Sequence, residues 1–357
     1  LHKEYRRQRQ MCIRDRYFTH AHSNDKPFLG LTLFPRKKKM GLDLKWIKGY
    51  KGLPAMLKPS AFDTKSTGRG KIKMQDVRTE MPYFKEHVMV DEEDEQEILR
   101  VQEADDPYAQ QVLDHIYTRA DDLIVSADVV AERMIWSLLA PENGTPIIDI
   151  TANGTSYQYN FDNENGDYKK DHFVELTGTD MWSDTENSDP ITDVQTIIDK
   201  ALAKGVILKA MVISPKTMSL LVKNKKIAGY VLAQNTTANI YMNKNKVREV
   251  FRDELSIEII VYEKLFKDYD EKDKAFYPNT MATFLPDGAL GNTWYGTSPI
   301  ERQALAAKDA NVSQVNTGVN IMVTQEHDPE NTKTVVDEIV LPSFESMDSV
   351  YLLKHSA

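Results

Sequence analysis

Cysteine is almost absent from this sequence: Cys12 is the one thiol in 357 residues. An internal disulfide is excluded, and so is a zinc site built on several cysteines. Long apolar runs are missing as well. No stretch approaches the roughly 18 uninterrupted apolar residues of a membrane-spanning helix, so no membrane contact is expected. The first apolar run, 28–34, is short and broken by Gly30 and Thr32, which does not fit a secretory signal. A basic excess is lacking too. The 45 Lys+Arg are outnumbered by 54 Asp+Glu, for a formal net charge of −9, whereas nucleic-acid-binding domains are usually basic. These absences leave a soluble, reducing-compartment protein of mixed α and β structure as the expectation.

Recognisable catalytic motifs are also wanting. Thr67-Gly-Arg-Gly-Lys71 has part of a phosphate loop, but it lacks the first glycine, and Ile72 stands where Ser or Thr must reach magnesium. Asp162-Asn-Glu-Asn-Gly-Asp167 has part of a calcium loop. Aligned on Gly166, it puts Phe161 where the first carboxylate is required. Of the eight histidines only His20 and His22 are close in sequence, and no His-Glu-x-x-His pair occurs. There is no Gly-x-Ser-x-Gly elbow and no Gly-x-Gly-x-x-Gly after a strand. No catalytic residue, cofactor or metal site is therefore expected. The run Asp91, Glu92, Glu93, Asp94, Glu95 could hold a cation, but successive carboxylates repel, and a solvated or partner-facing strip is the better reading.

What is present is a sizeable core-forming fraction, 41% hydrophobic over 357 residues, enough for about two to three packed units. Position 1 is Leu, and residues 11–16 (MCIRDR) resemble a translated sequencing-adapter scar. We expect residues 1–23 to be a non-native or disordered extension, the alternative being a basic arm touching nucleic acid or a scaffold. Without residues 1–17 the balance is 39 Lys+Arg to 52 Asp+Glu, a net of −13, and no cysteine is left.

Charge is segregated along the chain. Residues 36–75 hold 12 Lys/Arg and 2 Asp/Glu, a balance of +10, and residues 76–106 hold 3 and 12, a balance of −9. The basic stretch is rich in turn formers, including Gly49, Gly52, Pro54, Pro59, Gly68 and Gly70, and reads as a long exposed loop. Residues 28–35 read as a short strand or extended arm stopped by Pro35. Residues 106–139 carry apolar side chains at a 3.6-residue period, opened by Asp106-Pro107 and closed by Pro141 and Gly144. That predicts a helix of about 50 Å lying on a sheet. A hairpin is expected within 142–188, with arms at 147–150 and 157–161. Residues 190–221 and 245–262 predict helix–strand–helix and helix–strand, a compact α/β unit. Residues 267–274 read as a hairpin tip, and 280–285, 317–325, 334–341 and 349–353 as strands.

A large chain with no catalytic constellation, one charged loop and one very long helix suits an assembly subunit. Several segments carry a family resemblance: 28–35, Leu53-Pro54, Met81-Pro-Tyr-Phe-Lys-Glu-His-Val88, Asp106-Pro107-Tyr108, Phe276-Tyr-Pro-Asn-Thr280, Gly291-Asn-Thr-Trp-Tyr-Gly296, Leu341-Pro-Ser-Phe344 and Asp348-Ser-Val-Tyr-Leu352. In order and spacing they resemble the lambda-type major capsid protein (E protein) family of tailed bacteriophages, over roughly 27–354. The resemblance implies an α+β, Hong Kong 97-like capsid fold. Its expected parts are an N-terminal arm (24–45), an extended loop (46–90), a peripheral domain (91–188, with spine helix 106–139 and hairpin 146–176), an α/β axial domain (189–310) and C-terminal strands (311–357) returning to the peripheral or axial sheet.

The function it implies is a subunit that self-assembles into the icosahedral head shell of a tailed phage or prophage around double-stranded DNA. The implied partners are further copies of the chain in pentamers and hexamers, a scaffold, a portal and a decoration protein. DNA would be enclosed without sequence-specific binding, with assembly in the host bacterial cytoplasm. An encapsulin-like compartment is the nearest alternative. An α/β enzyme in 189–265 or a nucleic-acid module in 36–75, whose aromatics are only Trp46, Tyr50 and Phe62, are more distant. The candidate inter-subunit contacts are Arg36, Lys37, Lys38, Lys39, Lys45, Lys48, Lys51, Arg69, Lys71 and Lys73, set against Asp91, Glu92, Glu93, Asp94 and Glu95 of a neighbour.

Overall fold

A computed structural model describes residues 28–41, 43–48, 75–90, 92, 96, 107–152, 154–162, 165–234, 242–307, 312–327 and 330–356. They fall into two compact units. The first draws on segments up to 45, 78–133 and 292–343, and the second on 46–77, 134–291 and 344 onward.

The first unit is organised by one 14-residue strand, Glu330–Ser343. Its Val335, Val336, Ile339, Val340 and Leu341 are buried, and β-branched residues favour such a pleated, enclosed surface. Two antiparallel strands flank it, Val319–His327 and Tyr83–Val90, so that Asp337 is opposite Asn320 on one side and Lys85 on the other. Its last residues pair antiparallel with Asn292–Tyr295, which pairs in parallel with the short strand Arg36–Lys38. Val312–Asn316 pairs outside Val319–His327. The turn joining them uses Gly318 at φ 85°, where a β-carbon would lie 2.3 Å from Cβ of Tyr295. Only glycine fits that close approach.

The predicted long helix is present and continuous as Pro107–Leu139. In the first unit it buries Leu123, Ile124, Ala127 and Ala131. Its last turns, assigned to the second unit, bury Met134, Ile135, Trp136, Leu138 and Leu139. There Trp136 leans on Tyr262 and meets Tyr277 edge-on, at 4.8 and 5.2 Å between ring centroids. The Thr283 hydroxyl donates to the Leu139 carbonyl at 2.8 Å, taking up one of the acceptors a helix end leaves over.

The second unit holds a mixed five-stranded sheet in the order Phe173–Glu175, Tyr351–Lys354, Met281–Pro286, Leu208–Ile213, Glu258–Val261. Leu208–Ile213 and Glu258–Val261 run parallel, and Met281–Pro286 is antiparallel to both its neighbours. Helices pack on it because their caps and apolar faces agree. Asp189 accepts from the Thr192 amide to start Pro190–Ala203, and Ile191, Val194, Ile197 and Ala201 face inward. Ser214 caps Pro215–Lys223, and Asn243 caps Lys244–Leu255 with Val247, Phe251 and Leu255 inward. Such caps contribute about 1 kcal/mol each. The expected hairpin is Ile147–Ala152 with Thr155–Asn160, and the expected tip is Leu265–Lys267 with Asp273–Ala275.

The structure differs from expectation in several places, among them the helices Asp167–His172, inside the expected hairpin 146–176, and Pro299–Ala307. Residues 28–35 are not a strand. Leu29–Leu33 is a one-turn helix, for a reason given below. The basic 36–75 stretch is not wholly loop: Arg36–Lys38 joins the large sheet, and Asp43–Lys48 pairs with Gln75–Glu80. Tyr83–Val90 is a full sheet member beside Glu330–Ser343. An unforeseen helix, Lys225–Gln234, contains Gly229, which weakens its helical signature. It is started by Asn224, whose side-chain oxygen accepts from the Lys226 and Ile227 amides. Residues 49–74 of the basic stretch lie outside the described residues.

Candidate functional site

The most polar arrangement of the first unit is the seat of its N-terminal segment on the long helix. Asp128 and Glu132 are one helical turn apart, in line with Ile124 and Trp136. Glu132 is fully buried. Its two carboxylate oxygens accept from the Gly30 and Leu31 amides at 2.9 and 3.1 Å. These are amides that the first turn of a helix leaves without a partner, so Glu132 supplies from a distance the cap that Phe28 cannot. That is why 28–35 turns into a helix. Phe34 behind it is buried.

Beyond Pro35 the chain turns its cations onto the same unit. Arg36 donates to Asp128 at 2.6 Å and lies 5.7 Å from the Tyr295 ring centre. Lys37 sits 5.6 Å over the Trp294 ring. Lys38 donates to the Glu301 carboxylate at 2.5 Å and to the Gly296 carbonyl at 2.9 Å. The Lys39 amide donates to the Tyr295 carbonyl at 2.8 Å. Beneath Arg36 lies a buried acid. Among the described residues, both carboxyl oxygens of Glu338 are without a hydrogen-bond partner, as are Nη1 of Arg36 and the Tyr295 hydroxyl. Burial holds the Glu338 carboxyl well above the usual carboxylate range, Asp128 and Asp337 push the same way, and Arg36 opposes them.

Its neighbour Asp337 is treated differently. It accepts from Ser298 at 2.7 Å, Asn320 at 3.3 Å and Tyr83 at 3.2 Å. Burial raises its pKa, and these hydrogen bonds hold the rise back. Ser298 also accepts from the Glu301 amide at 3.1 Å, so the same cluster starts the helix Pro299–Ala307.

Glu338 carries a pH prediction. Its folded pKa is raised, so its contribution to stability is complete below the unfolded value of about 4.3 and is lost as pH rises through the folded value. Glu338→Gln keeps the shape without the proton. Its melting temperature is expected to gain on the wild type progressively above about pH 5. Parallel pH profiles for the two proteins would contradict a neutral Glu338.

Of the candidate contact residues, Arg36, Lys37 and Lys38 are thus placed on one strand with Lys39 just past its end, and Arg36 and Lys38 already have acidic partners in their own chain. Lys45 and Lys48 lie on Asp43–Lys48. Glu92 is exposed. Lys51, Arg69, Lys71, Lys73, Asp91, Glu93, Asp94 and Glu95 lie outside the described residues. The acids that receive the arm, Asp128, Glu132 and Glu301, were not singled out from the sequence. The available signal was Asp128 and Glu132 at i and i+4, close to an apolar stripe where a carboxylate needs a buried donor. No group of three or more His, Cys, Asp or Glu able to hold a metal occurs among the described residues, and no described helix is long and apolar enough to cross a membrane.

Comparison with known proteins gives this arrangement a context. The family model described as phage major capsid protein E matches residues 16–350. A comparison with curated proteins finds no match. Among solved structures, a protein described as the capsid protein of a prophage of Escherichia coli CFT073 superposes with a TM-score of 0.56 at 15% identity, covering 96% of this chain and 98% of that one. A phage-related protein of Bordetella bronchiseptica RB50 gives 0.55 at 13% identity, covering 95% and 96%. At these identities the likeness is one of fold.

Proposed function

This chain belongs to the phage major capsid protein E family, and from that premise we propose how it builds a shell. The protein is a capsid subunit with the tailed-phage, Hong Kong 97-like α+β fold, and the observation that carries this is the family match over 16–350. A subunit of this kind works by association with copies of itself and needs no catalytic centre. In the proposed picture, pentamers and hexamers form in the host bacterial cytoplasm with a scaffold, a portal and a decoration protein, and close around DNA without reading its sequence. Residues 24–45 act as the arm, 46–90 as the extended loop, 91–188 as the peripheral domain and 189–310 as the axial domain.

The charge segregation supports a clasp between copies. The +10 stretch 36–75 of one subunit lies near the −9 stretch 76–106 of the next, a head-to-tail contact that closes into rings. Exposed pairs contribute about 0–1 kcal/mol each, so the strength comes from repetition and wrong contacts can dissociate. Arg36 and Lys38 already have partners, which moves the weight of the clasp to Lys45, Lys48, Lys51, Arg69, Lys71 and Lys73.

Negative-stain microscopy of the purified protein tests the main reading. Uniform closed shells are expected, and dispersed monomers would overturn it. Assembly across a salt series tests the clasp: yield should fall between about 0.1 and 1 M, where the screening length drops from about 10 to 3 Å. A flat response removes it. The acidic body also supports a lumen that repels packaged DNA. Isolated subunits should show no tight, salt-sensitive duplex binding, which basic DNA-neutralising surfaces produce.

A further inference from the structure

Two sites in the second unit expose large apolar side chains. One is the pair Leu202 and Ile207, 59% and 64% exposed, at the end of the helix Pro190–Ala203 and the entry to the strand Leu208–Ile213. The other is the hairpin 265–275, where Leu265 is 66% and Tyr269 49% exposed. We propose that the hairpin of one copy seats on the Leu202–Ile207 site of the next, as the repeating contact of a ring. The proposal rests on the capsid reading and names the surfaces that reading needs.

Topology makes the contact necessarily one between copies. Leu208–Ile213 and Glu258–Val261 are parallel, with Ala210 opposite Glu258 and Ile213 opposite Val261. Leu202 and Ile207 precede the first strand, and the hairpin follows the second. The two sites therefore lie at opposite ends of one strand pair, separated by about 20 Å of six-residue strand. They cannot meet within a chain. Sites at opposite ends of a subunit are what a heterologous, ring-closing contact requires, since each copy then gives one and receives one.

The hairpin also needs cover. Among the described residues its strands pair with each other alone, Leu265 with Ala275 and Lys267 with Asp273, and a lone two-stranded hairpin is marginal in water. Phe266 anchors its base on Phe276, ring centroids 4.6 Å apart. Leu265, on the other face of the strand, points away from that anchor.

Charge complements the apolar match. Residues 199–209 hold three Lys and one Asp, and residues 265–275 hold three Lys and four acids. In the hairpin, Lys272 pairs with Asp270 and Lys274 with Asp268. That leaves the exposed Glu271 at the turn, and the exposed Asp273 across the strand from the exposed Lys267, as the acids suited to a partner. On the receiving site Lys204 pairs with Asp171, and the exposed Lys200 and Lys209 flank the apolar pair. An apolar centre with an oppositely charged rim fixes orientation as well as adhesion.

The test uses wild-type shells treated with a carbodiimide, which joins a lysine amine to a neighbouring carboxylate as an amide. Shells assembled from mixed 14N and 15N subunits identify links between copies by mass spectrometry. The expected links join Lys200 or Lys209 to Glu271 or Asp273, with a ladder of ring multiples on a denaturing gel. A second arm uses Leu265→Asp. It should melt as the wild-type subunit does and lower shell yield by about tenfold or more. Shells that form without these links, or a Leu265→Asp protein that assembles like wild type, overturn the contact and leave the capsid reading standing. Wild-type protein that forms no shells overturns both.

Discussion

Glu132→Ala is expected to free the 28–39 segment while leaving the long helix formed. Two amide hydrogen bonds to a buried carboxylate disappear at once. Hydrogen bonds to charged groups contribute about 1.5–3 kcal/mol each, and the Gly30 and Leu31 amides are left unsatisfied. A local loss of about 3 kcal/mol lowers amide protection roughly 100-fold where opening is confined to the segment. Hydrogen exchange at Gly30, Leu31 and Phe34 reads this directly. Glu132→Gln keeps one good acceptor and should fall between the two proteins. Unchanged exchange in Glu132→Ala would mean that the Arg36–Lys38 strand and its ion pairs hold the segment alone. Loss of shell yield together with released amides would show that assembly needs the seated arm.

Acid is expected to weaken the second unit between about pH 6.5 and 4. His172 and His355 are both buried, and burial is the first cause holding each at a pKa of about 4. Around His172, Lys204 also disfavours the charged ring, while Asp348, Asp171 and the Val350 carbonyl oppose that. Around His355, Lys216 disfavours charge and backbone hydrogen bonds oppose it. The neutral ring is the form the fold accepts. His355 stacks on Trp182 at 4.7 Å and reaches the Thr217 hydroxyl at 3.0 Å. His172 stacks on Tyr168, and its Nδ1 is 3.1 Å from the Val350 carbonyl.

The folded pKa lies below the unfolded one. The stabilisation is therefore complete above about pH 6.5, is lost as pH falls, and changes no further below about pH 4. The shift bounds the loss at about 3 kcal/mol per histidine. Thermal melts followed through tryptophan fluorescence, from pH 7 to 4, measure it. His172→Gln and His355→Gln should each be less stable at pH 7 and show a flatter slope. A slope unchanged in both variants would assign acid sensitivity elsewhere. Glu338 acts in the opposite direction, so the Gln variant there separates the two effects.

The legible parts of this fold are those where local chemistry and tertiary demand coincide. The long helix shows because its apolar period runs unbroken to Pro141. Pro190–Ala203 shows because Asp189, Pro190 and Gly205 punctuate it in agreement with its inward face. The arm was misread because its helix depends on Glu132, about 100 residues away in sequence, and no local pattern carries that bond. Arg36 to Lys39 read as contacts to a neighbouring copy for the same reason: Asp128, which meets Arg36, and Glu301, which meets Lys38, are remote in the chain. Tyr83–Val90 is obscured by three successive exposed polar residues, Lys85, Glu86 and His87, which break the alternation of a half-buried strand and give it the composition of a loop. The apolar sites at Leu202, Ile207 and Leu265 could not be marked at all, because exposure is a property of the finished unit.

The five-stranded sheet of the second unit has a consequence for crowding. Its outer members are only three and four residues long, Phe173–Glu175 and Glu258–Val261, while the two six-residue strands lie inside. An open strand edge is a template for pairing with another chain, and short edges offer few bonds to an intruder. Many copies held side by side would tempt open edges to zip together without end. With edges of three and four residues, this sheet offers a neighbouring copy little backbone to pair with, so association through side chains, which can be undone and made again, is favoured over strand addition.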